Sequence, residues 1–162
     1  MKITIDSMIW IYEFDPHSPE SQNVQKWMRG EEGALNHYED IILNTIIPLE
    51  VLHAMSKKMK TNYTLAYSAT LAIMSLQNVT MVDFDSRLLV KSMELLGKYK
   101  KYGIGGRDAS ILATMTDQNV SLIATHDKNI LSITDFQRID PTFTPPLILK
   151  VGEPFDDSTI KQ

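Results

Sequence analysis

The chain predicts an α/β domain of three layers, α/β/α, around a parallel sheet of about five strands. Short β-branched runs alternate with segments of helical spacing, which implies parallel strands joined by right-handed helical crossovers. A length of 162 residues, 43% hydrophobic and 22% charged, suits one globular domain with a buried core. No apolar run approaches the roughly 18 residues that a membrane helix needs.

The first strand is Lys2–Ile5, followed by helical segments from Met8 to Phe14 and from Val24 to Met28. Residues 15–40 are polar and carry Pro16, Pro19, Gly30 and Gly33, so they read as loops around one helix. Ile41–Asn44 is the second strand. Leu49, Leu52, His53 and Met55 open the next helical group, and Leu65 to Leu76 continues it, with Leu65, Tyr67, Leu71, Met74 and Leu76 apolar. Val79–Val82 is the third strand. One helix then follows on Leu88, Leu89, Met93, Leu95 and Leu96, and another on Ile111, Leu112 and Met115. Ser121–Ala124 is the fourth strand, with a shorter one near Arg138–Ile139 and an edge strand over Leu147–Val151. The domain spans residues 1–150, and residues 151–162 form a C-terminal tail.

A net charge of −4 excludes a chain that is basic overall and binds nucleic acid along its whole surface. The absence of cysteine excludes disulfides, zinc–thiolate sites and thiol catalysis. The opening MKITID lacks the apolar core of a signal peptide, so the expected location is cytoplasmic.

The informative feature is where certain acids sit. Asp6 follows the first strand directly. Glu50 follows the second strand and is expected in the first turn of the next helix. Asp108 follows Gly105-Gly106-Arg107 at another helix start, and Asp127 follows the fourth strand within Thr125-His126-Asp127-Lys128. Any one of these alone could be a helix cap. Together they fall where open parallel sheets bind ligands, outside the carboxyl ends of strands. Four converging carboxylates repel: two unit charges 4 Å apart cost roughly 4 kcal/mol at an effective dielectric of 20. A hard cation, Mg²⁺ or Mn²⁺, relieves that repulsion and suits oxygen-only ligands. The chemistry favoured is metal-dependent hydrolysis of a phosphodiester, in which the ion activates water.

At this point the residues resemble a known family. Ile3-Thr4-Ile5-Asp6-Ser7-Met8-Ile9-Trp10-Ile11-Tyr12, Ile47-Pro48-Leu49-Glu50-Val51-Leu52, Gly106-Arg107-Asp108-Ala109-Ser110-Ile111-Leu112-Ala113 and Ala124-Thr125-His126-Asp127 resemble the four motifs of PIN domains, in order, over about residues 1–140. The branch they resemble is the VapC-type ribonuclease toxins of toxin–antitoxin pairs. The resemblance implies strand order 3-2-1-4-5 and an endoribonuclease acting on RNA, with Asp6, Glu50, Asp108 and Asp127 around Mg²⁺ or Mn²⁺. It further implies Ser7 and Thr125 as hydroxyl neighbours of the site, a homodimer, and a small antitoxin partner. Ser7 stands where the family usually has Thr, which keeps the hydroxyl. The alternatives are a catalytically silent PIN-like module that binds RNA or a protein, and an RNA-processing nuclease that is not a toxin.

Other features weigh less. Lys57, Lys58 and Lys60, and Lys98, Lys100 and Lys101 beside Tyr99 and Tyr102, could contact an RNA backbone or simply form solvated helix faces. Arg107 could contact a phosphate or pair with a nearby acid. Gly103-Ile104-Gly105-Gly106 does not complete a dinucleotide-binding fingerprint, because Asp108 occupies the last glycine position. His126 is expected to point away from the acids, His53 to be a plain helix residue, and Asp85 to cap a helix. No G-x-S-x-G or H-E-x-x-H motif occurs. A covalent aspartyl phosphatase would need Asp two positions after Asp6, where Met8 stands.

Overall fold

The computed structural model describes residues 1–156 and 158. Six strands are β1 (Lys2–Ile5), β2 (Asp40–Asn44), β3 (Val79–Val82), β4 (Leu122–Ala124), β5 (Gln137–Asp140) and β6 (Leu147–Leu149). They form one sheet in the order β3-β2-β1-β4-β5-β6, parallel except for β6, which runs antiparallel to β5. The expected 3-2-1-4-5 order is present, extended by the edge strand. That strand is shorter than its expected Leu147–Val151 span, because the chain turns at Gly152, whose φ is +81°. The tail expectation for residues 157 and 159–162 lies outside the described residues.

The helices are α1 (Ser7–Phe14), α2 (Ser21–Arg29), α3 (Ala34–His37), α4 (Ile46–Lys57), α5 (Tyr63–Met74), α6 (Ser86–Lys98), α7 (Gly106–Asp117) and α8 (Lys128–Leu131), with a 3₁₀ turn at Lys100–Tyr102. Residues 15–40 hold two helices, not the one expected; α3 is a single turn too short to show periodicity. The core is aliphatic, built from Ile3, Ile5, Ile41 and Leu43 of the central strands against Ile9, Trp10, Ile111 and Leu112 of α1 and α7.

Two helices bury a face other than the one their largest apolar residues suggest. In α5 the buried positions are Ala66, Thr70 and Ile73, while Leu65, Tyr67, Leu71 and Met74 are exposed. The helix is apolar all round, so periodicity has no contrast with which to choose a face. In α6, Leu88, Ser92 and Leu95 face inward and Leu89, Met93 and Leu96 outward. Methionines follow the same division: Met28, Met55 and Met115 are buried, Met74 and Met93 are not. Asp85 caps α6, accepting from the Leu88 amide at 2.9 Å, as expected.

Candidate active site

β1 is central, with β2 on one side and β4 on the other, so its carboxyl end is the switch point of the sheet. Asp6 stands there, 4% exposed, and its side chain makes no cap bond to α1. Instead Asp6 accepts from the Thr125 hydroxyl at 2.8 Å and the Ser7 hydroxyl at 3.2 Å. The backbone seats it, since the Asp6 amide donates to the Ala124 carbonyl at 2.9 Å. Thr125 in turn accepts from the Asp127 amide at 3.0 Å, which ties the end of β4 to the end of β1.

Asp108 reaches the same edge from α7 and Glu50 from α4, where it stands in the second turn and not the expected first, because the helix starts already at Ile46. A buried residue that sequence reasoning passed over, Asn44, holds those two helices together. Its carbonyl oxygen accepts from the Ile46 and Ile47 amides, opening α4. Its amide donates to Ser110 O and Thr114 Oγ1 of α7, both at 3.2 Å. The one legible signal for it was an Asn ending an apolar strand just before a helix. Pro48 fits α4 because its missing N–H falls in the first turn, where no intrahelical acceptor exists.

Asp108 caps its own helix from within: Oδ2 accepts from the Gly105 amide at 2.8 Å. Gly103, at φ +74°, turns the chain into that start, and Asn129 of α8 donates to its carbonyl at 3.1 Å. Asp127 caps α8, accepting from Asn129 N at 2.7 Å. The capping explanation therefore holds for Asp108 and Asp127 and does not hold for Asp6.

Arg107 stands among the acids. Its Nε lies 3.3 Å from Glu50 Oε1 and 3.7 Å from Asp108 Oδ1, and its charge also acts on Asp6 and Asp127. Arg107 thus pairs directly with two of the four carboxylates. Burial, foremost, raises the pKa of Asp6, Glu50 and Asp108. Asp108 and Asp127 raise Asp6 further, against the opposing effects of Thr125 and Arg107. The Ser7 hydroxyl serves both Asp6, at 3.2 Å, and Glu50, whose pKa it lowers against the larger effect of burial. Glu50 Oε2 is left buried with no donor.

An acceptor without a donor, beside oxygen-only acids with raised pKa values, fits a hard divalent cation. Among the described residues no three His, Asp or Glu side chains stand close enough to hold an ion as they lie. Arg107 pairs with two of the four acids there.

His126 turns from the acids, as expected, toward a partner that sequence reasoning did not find. Its Nδ1 is 2.8 Å from Oδ2 of Asp140, which is fully buried. Oδ1 of Asp140 accepts from the Thr142 amide and hydroxyl at 3.0 and 2.8 Å. This bond to Asp140 raises the His126 pKa. His53 is exposed on α4. Of the lysines, Lys98 is engaged by Asp135 at 2.7 Å and Tyr99 at 2.9 Å, and Lys101 lies over the Tyr102 ring. Lys57, Lys58 and Lys60 are exposed at the end of α4, and Lys100 is exposed beyond α6, so the two clusters sit on different elements.

Fold and site define a doubly wound α/β protein with buried acids at the switch point of its sheet. The chain belongs to the PIN domain family, whose model matches residues 3–136. It is similar in fold to VapC20 of Mycobacterium tuberculosis, described as a sarcin-ricin loop cleaving toxin, at TM-score 0.65 and 13% identity over 79% of this chain and 93% of that one. FitAcB from Neisseria gonorrhoeae matches at TM-score 0.63 and 18% identity, covering 86% and 97%. VapBC-1 from nontypeable Haemophilus influenzae matches at 0.58 and 20%, covering 88% and 100%. No curated protein matches the chain. No helix among the described residues is long and apolar enough to cross a membrane.

Proposed function

We propose that the chain is a metal-dependent endoribonuclease and the toxin of a type II toxin–antitoxin pair, working in the cytoplasm as a homodimer held in check by a small antitoxin. The observation that carries this reading is that three acids from distant segments, Asp6, Glu50 and Asp108, lie largely buried beside one another with pKa values that burial raises, and with Asp127 acting on two of them. The fold neighbours add support: one is described as a sarcin-ricin loop cleaving toxin and another is a VapBC protein.

Asp6, Asp108 and Asp127 would hold Mg²⁺ or Mn²⁺, with Glu50 completing the site. Such an ion supplies positive charge against a phosphodiester and acidifies water. Thr125 and Ser7 fix the Asp6 carboxylate by donating to it, so its oxygens are oriented before substrate arrives. Asn44 keeps Glu50 and Asp108 on helices braced against each other. Arg107, half exposed, can leave its acids for a phosphate oxygen of the RNA. The exposed Lys57, Lys58, Lys60 and Lys100 would add backbone attraction that weakens with salt.

Arg107 also favours a second reading, a silent module whose acids the chain's own cation partly satisfies. One assay separates the two: cleavage of single-stranded RNA with Mn²⁺ by the wild-type chain and by Asp6→Asn. The nuclease reading predicts a loss of about a hundredfold or more in the variant. Equal cleavage by both proteins contradicts it, and RNA binding without cleavage by either supports the silent module.

A further inference from the structure

A cavity opens between α2 and the segment after β5, and none of the residues assigned above lines it. Its volume is about 630 Å³, within the ordinary range for small-ligand sites. The walls come from the α2 helix with the turn after it, and from the segment after β5: Trp27 and Phe143, with Asn23, Lys26, Glu31 and Glu32. We propose that this cleft is a subsite for one unpaired nucleobase of the RNA strand, stacked on Trp27 and Phe143 next to the scissile phosphate.

Position comes first. β5 is parallel to β4, so the segment that follows Asp140 leaves from the same sheet edge as Asp6 and Asp127. The Phe143 ring lies 6.5 Å from the His126 ring, and His126 directly precedes Asp127. The Asp140 cluster fixes both: it binds His126, and it holds Thr142 beside Phe143. The cleft and the acids thus lie at the same end of the sheet, joined through the short segment from His126 to Asp127.

The chemistry of the lining comes second. Trp27 and Phe143 are both partly exposed and present ring surface, which every base can use. Glu31 and Glu32 at the rim disfavour a phosphate there and can accept from base N–H groups. Asn23 does not read the base, because its amide donates to Thr142 O at 2.6 Å and its oxygen accepts from Thr144 at 2.7 Å. Those two bonds instead pin one wall to the other.

The cleft is also preformed. The turn after α2 folds so tightly that a Cβ at Gly33 would stand 2.6 Å from Met28 O and 2.7 Å from Gly30 O, so only glycine fits.

The proposal rests on RNA being the substrate, and its test does not require cleavage. Trp27 is a built-in reporter, because the other tryptophan, Trp10, is 2% exposed. The full chain in EDTA is titrated with guanosine 5′-monophosphate, with ribose 5-phosphate and with a proline-rich peptide, following tryptophan fluorescence. Saturable quenching by the nucleotide alone is expected, lost in Trp27→Phe and weakened about tenfold in Phe143→Ala. Asn23→Ala, probed by the same titration, should also weaken binding if Phe143→Ala does not fold. Equal quenching by ribose 5-phosphate, quenching by the peptide alone, or no quenching overturns the subsite. Asp6→Asn should quench like wild type, so loss of cleavage and loss of base binding are read separately.

Discussion

Two groups of acids share one edge of this sheet, and the chain treats them differently. Asp140 is completely buried, yet both of its oxygens have donors: His126 on one, and the Thr142 amide and hydroxyl on the other. Asp6, Glu50 and Asp108 are also largely withdrawn from water; Asp6 has a hydroxyl donor on each oxygen and Asp108 has the Gly105 amide, but burial still raises all three pKa values, one half-exposed guanidinium pairs with Glu50 and Asp108, and buried Glu50 Oε2 makes no hydrogen bond. A buried acid whose partners come from the chain strengthens the fold, whereas a buried acid without them costs stability until something else arrives. The first is satisfied by the chain, and the second is where the proposed cation would act.

The sharpest way to break that contrast is to remove one acid from each group. Asp140→Ala strands His126 and Thr142 and should lower unfolding stability by about 3 kcal/mol in urea denaturation. A loss under about 1 kcal/mol would show that Asp140 is not the keystone described here. Glu50→Gln, measured without metal, should leave stability unchanged or raise it by up to about 1 kcal/mol, since it removes charge repulsion from a crowded site. A loss comparable to that of Asp140→Ala would erase the distinction.

How much of this was legible in the chain depends on range. Asp6, Asp108 and Asp127 were readable because each follows a strand or a Gly-Gly-Arg turn within a few residues, and parallel topology fixes where strand ends go. The Asp140 group was not readable, because it closes through a contact between residues 126 and 140 that no local pattern encodes. The same holds for Asn44, whose partners are 66 and 70 residues away. The buried face of α5 was hidden for another reason: with Tyr, Leu and Met on one side and Ala, Thr and Ile on the other, both faces look apolar.

The dependence on pH should separate the groups by a smaller margin. The folded pKa of His126 lies above its ordinary 6.5, so the stability it contributes is fully present below that value and is lost as pH rises through the folded one. The raised pKa values of Asp6, Glu50 and Asp108 act in the same direction: their neutral forms favour the fold, and stability falls as pH climbs through the folded values. Metal-free protein should therefore lose stability as pH rises above the ordinary carboxylate values of 3.8 and 4.5, and again as it rises above 6.5. Asp140→Asn should remove the upper, His126 part of that loss, and excess Mn²⁺ the lower, carboxylate part. A slope unmoved by either would contradict both assignments. The smallest effect belongs to neither group. Lys98→Gln breaks an exposed pair with Asp135 and should change stability by no more than about 0.5 kcal/mol.

Calorimetric titration of the full chain with Mn²⁺ bears most directly on the acidic edge. Wild-type protein should bind the ion saturably and gain thermal stability in proportion, Asp6→Asn and Asp108→Asn should do neither, and Asp140→Asn should still bind. Binding of equal strength in wild type and Asp6→Asn, or no binding in wild type, would mean that the unsatisfied acids are not a cation site.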